Sequence, residues 1–87
     1  MSTKGRMAVG PVTTEVAALM REAMGRRQMR QRDVAIKTNI STSQISRLLN
    51  GTISPNLEEL IVICEAIGIR PEKVFSDSIR KSLTEGL

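Results

Sequence analysis

The sequence predicts an all-α protein: a compact bundle of five short helices in one small domain. Three observations point there. The 87-residue chain has one aromatic residue, Phe75, so its core must be built from Leu, Ile, Val, Met and Ala. Such an aliphatic core suits packed helices better than a sheet, where aromatic and β-branched residues are favoured. Apolar residues recur at steps of three and four, the helical repeat, and residues that start and stop helices stand between those runs. A chain this short buries only about 60% of its unfolded surface, so its stability should be only a few kcal/mol.

Residues 1–12, with Lys4, Gly5, Arg6, Gly10 and Pro11, have no periodicity and are expected to form a flexible basic arm. Thr13 or Thr14 is expected to cap a first helix running to about Arg26, with Val16, Leu19, Met20 and Ala23 as its inner stripe. A second helix should span Gln31 to Thr38, with Val34 and Ala35 inward. Arg30 is a poor residue at its cap position, whereas Asp33 in the first turn suits the helix dipole. Asn39 falls at the bend that follows, where it tolerates a left-handed conformation better than any residue but glycine.

Ser41 opens a third helix, and Gln44 three residues later completes the pattern of a capping box. Ile45 and Leu48 should point inward, and Asn50-Gly51 should end the helix. Asn56-Leu57-Glu58-Glu59 is a second capping box, starting a fourth helix with Leu57, Leu60, Ile61, Cys64 and Ile67 inside and Gly68 closing it. Pro71 fits the first position of a fifth helix. Its stripe of Val74, Phe75, Ile79 and Leu83 runs further than a monomer core needs, and residues 84–87 are left as a tail.

From Gln31 to Gly51 the pattern is two short helices joined by a tight turn, the second with small polar residues and one arginine on its outer face. That is the layout of a helix-turn-helix, whose second helix enters the major groove of DNA. The charge distribution agrees. Residues 1–50 hold nine Lys/Arg against three acids, or +6, while residues 51–87 hold four against six, or −2. The basic excess thus coincides with the motif, as a polyanionic partner requires.

Other chemistry is not expected. The chain lacks histidine, has a single cysteine, and shows no glycine-rich phosphate loop, so neither an enzyme nor a metal or other cofactor is indicated. Cys64 lies on an apolar stripe and reads as an inert core residue. No stretch is long and apolar enough to span a membrane, and no apolar core of a secretory signal follows the first charges. A cytoplasmic, nucleoid-associated protein is expected.

Residues 13–83 resemble the lambda-repressor-like (XRE) family of phage and bacterial regulators. The resemblance rests on Gln31, Ala35, Ile40-Ser41, Ile45-Ser46-Arg47, Asn50-Gly51 and Asn56-Leu57 with Leu60, and Phe75-Ser76-Asp77-Ser78-Ile79 is similar to the fifth helix of lambda-type repressors. It implies that Thr42, Ser43 and Arg47 reach base edges, that Gln31 and Asn50 bind phosphates, and that Lys4 and Arg6 form an arm around the duplex. Three residues depart from the pattern. Arg30 replaces a capping Ser, Thr or Asn and offers an extra phosphate contact, and Arg70 replaces the usual Ser or Asp before the proline. Leu49 stands where many members have Glu, which removes the acid of the ion pair that often links helix three to helix one.

The chemistry of these side chains fits those roles. A guanidinium at Arg47 can donate two bonds to guanine O6 and N7, worth about 1–3 kcal/mol of discrimination. The hydroxyls of Thr42 and Ser43 can bond several bases, or a phosphate at the helix N-terminus. Gln44 is accounted for by its capping box. Arg26, Arg27, Arg30 and Arg32 form a basic cluster leading into helix two, with Arg27, Arg30 and Arg32 assigned to phosphates.

The expected function is a sequence-specific transcriptional regulator, a repressor of the phage-immunity or Cro type. It would bind a (pseudo)palindromic operator as a homodimer, because one helix-turn-helix contacts only a few base pairs. Ile79 and Leu83 are the expected dimer anchors, with Val62 a weaker candidate. Two alternatives involve a protein partner: an antitoxin-type protein that neutralises a toxin and regulates its own operon, or a bridging module that contacts proteins through the same fold.

Overall fold

The computed structural model describes residues 9–86, and their side chains as far as residue 84. They form five helices: α1 (Pro11–Arg26), α2 (Gln31–Thr38), α3 (Thr42–Leu49), α4 (Leu57–Ile67) and α5 (Pro71–Gly86). No strand occurs among the described residues, and the all-α, five-helix expectation holds.

The first helix begins earlier than expected. Gly10 is its N-cap and Pro11 its first residue, so positions 11 and 12 belong to the helix and not to an arm. Proline at the first helical position loses no bond, since that N–H has no partner in any helix, and its fixed φ already suits the turn. The threonines serve otherwise: Thr14 Oγ1 donates to Gly10 O at 3.3 Å, and Thr13 Oγ1 lies 2.7 Å from Ser54 Oγ, tying α1 to the α3–α4 loop.

The core joins Val16, Met20, Ala23 and Met24 of α1 to Val34 and Ala35 of α2, to Ile45, Leu48 and Leu49 of α3, and to Leu60, Ile63, Cys64 and Ile67 of α4. Leu19 is only half-buried. The inner face of α4 is rotated from the expected stripe: Ile63 is buried, while Leu57 is 70% and Ile61 42% exposed. The apolar run Leu60–Cys64 covers more than a full helical turn, so periodicity alone does not fix which side faces inward.

The fifth helix departs further. Val74, Ser78 and Ser82 face the core, whereas Phe75 is exposed and Ile79 is half-buried; Leu83 lies outside the core, as expected. α5 packs most extensively on α1, and serines let the two backbones approach where larger side chains would hold them apart. Ser78 Oγ is fully buried there without a hydrogen-bond partner.

The turn between α4 and α5 depends on Gly68, at φ +91°. A Cβ at this position would also meet Arg27 Nε at 3.2 Å, because Arg27 Nη2 donates to Gly68 O at 3.1 Å.

Candidate nucleic-acid interface

The turn between α2 and α3 sets the interface. Asn39 adopts φ 62°, ψ 25°, the left-handed conformation expected for it. Thr38 braces the bend from both sides: its hydroxyl donates to Val34 O at 2.8 Å and accepts from Ile40 N–H at 3.3 Å. Asp33 Oδ2 accepts the N–H of Arg30 at 2.9 Å. A guanidinium cannot accept a bond in return, so Arg30 provides only half of a capping box.

Ser41 caps α3 by accepting the Gln44 N–H at 3.1 Å. The expected reciprocal bond is not made, because the Gln44 side chain turns outward from the box. Its Nε2 donates to Glu59 Oε2 at 3.3 Å, and its Oε1 accepts from Arg47 Nη2 at 3.5 Å. Glu59 is itself held in the complete box at the start of α4, where its Oε1 accepts the Asn56 N–H at 2.9 Å and its own N–H donates to Asn56 Oδ1 at 2.7 Å. The opposite charges on either side give the Gln44 amide one orientation.

Ile45, Leu48 and Leu49 seat α3 against the core. With 3.6 residues per turn, Ser43, Arg47 and Asn50 project from the opposite side, with Thr42 and Ser46 at its flanks. Thr42, Ser43, Arg47 and Asn50 are all exposed. Asn50 is the C-cap of α3, and its Nδ2 lies 3.4 Å from Ser46 Oγ. The far end of α3 is secured from α1, since Arg21 Nη1 donates to Leu49 O at 2.6 Å. Although Leu49 removes the acid of an α1–α3 ion pair, a guanidinium–carbonyl bond still links the two helices.

Gln31, half-buried, and Arg32, exposed, occupy the first turn of α2 beside exposed Arg30. Arg27 is positioned differently: its guanidinium bonds Gly68 O, at the end of α4 remote from the Gln44–Glu59 contact, about 14 Å along that helix. Lys4 and Arg6 lie outside the described residues. Ile79 and Leu83 belong to the outer side of α5, as does Phe75, which lines a shallow apolar groove with Leu57, Ile61 and Pro71.

The cations divide by location. Arg26 pairs with Glu22, Arg70 with Glu72, Lys73 and Arg80 with Asp77, and Lys81 with Glu15, at 3.1–3.8 Å. Lys73, with Arg80 adding to it, holds the Asp77 carboxyl below its usual range. Among the described residues no acid lies within ion-pair distance of Arg30, Arg32, Lys37 or Arg47, all on α2, its cap or α3. The exposed cations of the α2–α3 side therefore have no ion-pair partner, while those of α5 are largely compensated.

Sequence reasoning did not assign Lys37 or Glu59 to this region. Lys37 was visible as one more cation on α2, while Glu59 has no local signal because its link to Gln44 crosses fifteen positions of the chain.

Comparison with known proteins places this geometry in a family. Two solved structures share the fold. One is the clp gene regulator ClgR from C. glutamicum, with 20% identity over 80% of this chain and 91% of that one, and a TM-score of 0.72. The other is the restriction-modification controller protein C.Esp1396I, determined as a tetramer with its natural 35 base-pair operator, with 19% identity over 83% and 95% of the two chains and a TM-score of 0.71. No curated protein sequence matches the chain. Residues 20–77 match the family described as the Cro/C1-type HTH DNA-binding domain. With two helices, a left-handed asparagine turn and a polar, basic outer face all lying inside that match, the chain belongs to the Cro/C1-type helix-turn-helix DNA-binding family.

Proposed function

We propose that the protein is a sequence-specific transcriptional regulator, a repressor of phage or bacterial type, that binds a (pseudo)palindromic operator as a homodimer. The observation that carries this reading is the set of uncompensated cations around an outward face of small polar side chains on α3. α3 lies in the major groove, where Arg47 selects guanine through its guanidinium and Thr42 and Ser43 meet base edges or the nearest phosphate. Gln31 and Asn50 hold phosphates at the two ends of the motif, joined by Arg30 and Arg32. Arg27 contributes to the field and reaches a phosphate only by releasing Gly68. Lys4 and Arg6 extend the contact around the duplex.

The protein acts by occupying its site and not by catalysis. Dimerisation through the outer side of α5 sets two recognition helices about 34 Å apart. The exposed apolar side chains of Phe75 and Leu83 support this arrangement, as does the operator-bound tetramer of the controller protein of similar fold. The protein works in the cytoplasm, at the nucleoid. Among the described residues no helix is long and apolar enough to cross a membrane.

Salt titration of binding to duplex DNA tests the electrostatic basis. The logarithm of affinity should fall linearly with the logarithm of salt, by about 0.9 for each phosphate neutralised. Arg32→Ala should reduce that slope by about one. A response flat in salt would contradict the proposal.

A further inference from the structure

We propose that Glu59, the capping carboxylate of α4, is a positioning residue for DNA reading: it aims the Gln44 amide, and that amide aims the guanidinium of Arg47. The proposal rests on the reading of Arg47 as the residue that selects a base.

The geometry forms a chain of contacts from a rigid element to a mobile side chain. Glu59 is fixed at both oxygens, Oε1 by the Asn56 N–H at 2.9 Å and Oε2 by Gln44 Nε2 at 3.3 Å. Gln44 and Glu59 are both half-buried, whereas Arg47 is exposed. The carboxylate draws the N–H₂ end of the Gln44 amide, which leaves its oxygen toward the Arg47 guanidinium at 3.5 Å. A flipped amide would set its oxygen against the carboxylate and its N–H₂ against the cation.

An exposed arginine samples many rotamers and loses that freedom on binding. Holding one N–H of Arg47 against Gln44 leaves four of its five donors for guanine O6 and N7, and narrows the search. Glu59 thereby contributes to base discrimination while contacting no base. Its negative charge lowers affinity for every duplex alike, which separates it from an ordinary binding residue.

The decisive experiment measures discrimination at single base pairs of an operator obtained by selection. Arg47→Ala first identifies the base pair at which preference is lost. Glu59→Gln and Gln44→Ala are then measured there, alone and in the Arg47→Ala background. Gln serves at the third position of a capping box, and the backbone N–H of residue 44 still caps onto Ser41, so thermal midpoints should move little. Each variant should lower the preference at that base pair by about two- to tenfold, the range for releasing one ordered side chain. Preference elsewhere should be unchanged, and neither variant should have a further effect once Arg47 is removed.

Wild-type preference in both variants, with Arg47→Ala losing it, would overturn the relay and leave Arg47 as a reader. If Arg47→Ala loses preference nowhere, the reading of Arg47 falls and the relay falls with it. Should Glu59→Gln fail to fold, Glu59→Asp takes its place: it keeps the capping charge but withdraws the carboxylate from Gln44, so the same loss of preference is expected and wild-type preference would overturn the role of Glu59.

Discussion

Arg21 and Arg27 commit their guanidiniums to backbone carbonyls, of Leu49 and Gly68, while Arg30 and Arg32 leave theirs to solvent on the α2–α3 side and Arg47, exposed, touches only the Gln44 amide oxygen. All five look alike in the sequence, because an arginine's role depends on which carbonyl or acid the fold brings near it. Arg47 was nevertheless legible, since α3 is short and its apolar positions fix its outer face. Gln44 was not. Its spacing from Ser41 fits a capping box, yet a carboxylate on another helix competes successfully for its amide. Cys64 was legible from its stripe alone. It is fully buried, and burial pushes its thiol up to about 11. Because the neutral thiol is favoured in the fold, its contribution to stability is complete below the pKa of the exposed thiol. It is lost as pH rises from there through about 11. Alkylation at pH 8 should therefore be slow and should accelerate with denaturant as the core opens. A rate equal to that of an unfolded peptide thiol would contradict this.

At the scale of elements, the boundaries that depend on local chemistry were readable. Asn39 in its left-handed turn, Asn56 with Glu59, and Gly68 closing α4 all behave as their residue types require. What was not readable is the rotation of each helix about its axis. In α4 the apolar residues cover more than one side, and packing selects Ile63 over Leu57 and Ile61. In α5 the close approach to α1 selects Ser78 and Ser82 for the inside, against hydrophobicity. The α1–α3 link was equally hidden, since it ends on a main-chain carbonyl that carries no sequence signal. Its 2.6 Å charged hydrogen bond satisfies the last turn of the recognition helix. Arg21→Ala should cost about 1–2 kcal/mol in denaturant unfolding, whereas Arg32→Ala, at an exposed site, should stay within about 0.5 kcal/mol of wild type. Equal effects would remove Arg21 from the account of how α3 is held.

Across the whole molecule, charge and hydrophobicity are arranged on different sides. The uncompensated cations gather on α2 and α3, while most of the exposed apolar side chains, Leu57, Ile61, Phe75 and Leu83, lie on α4 and α5; Ile36 on α2 is an exception. The half-chain charge count anticipated the first pattern; of the second, the long α5 stripe anticipated Leu83, whereas Leu57, Ile61 and Phe75 were expected inside. If that outer side joins two copies, sedimentation should show a concentration-dependent dimer. Leu83→Ala and Phe75→Ala should each shift it toward monomer, with operator binding weakened in parallel. Variants and wild type equally monomeric at high concentration would exclude a dimer through α5.

Selection of bound duplexes from a randomised DNA pool at moderate salt, followed by sequencing, shows whether a symmetric pair of recognition helices reads a defined sequence. An enriched inverted repeat is expected, with half-site centres about one helical turn, or 10–10.5 base pairs, apart. Purified, folded protein that enriches no sequence would contradict that expectation.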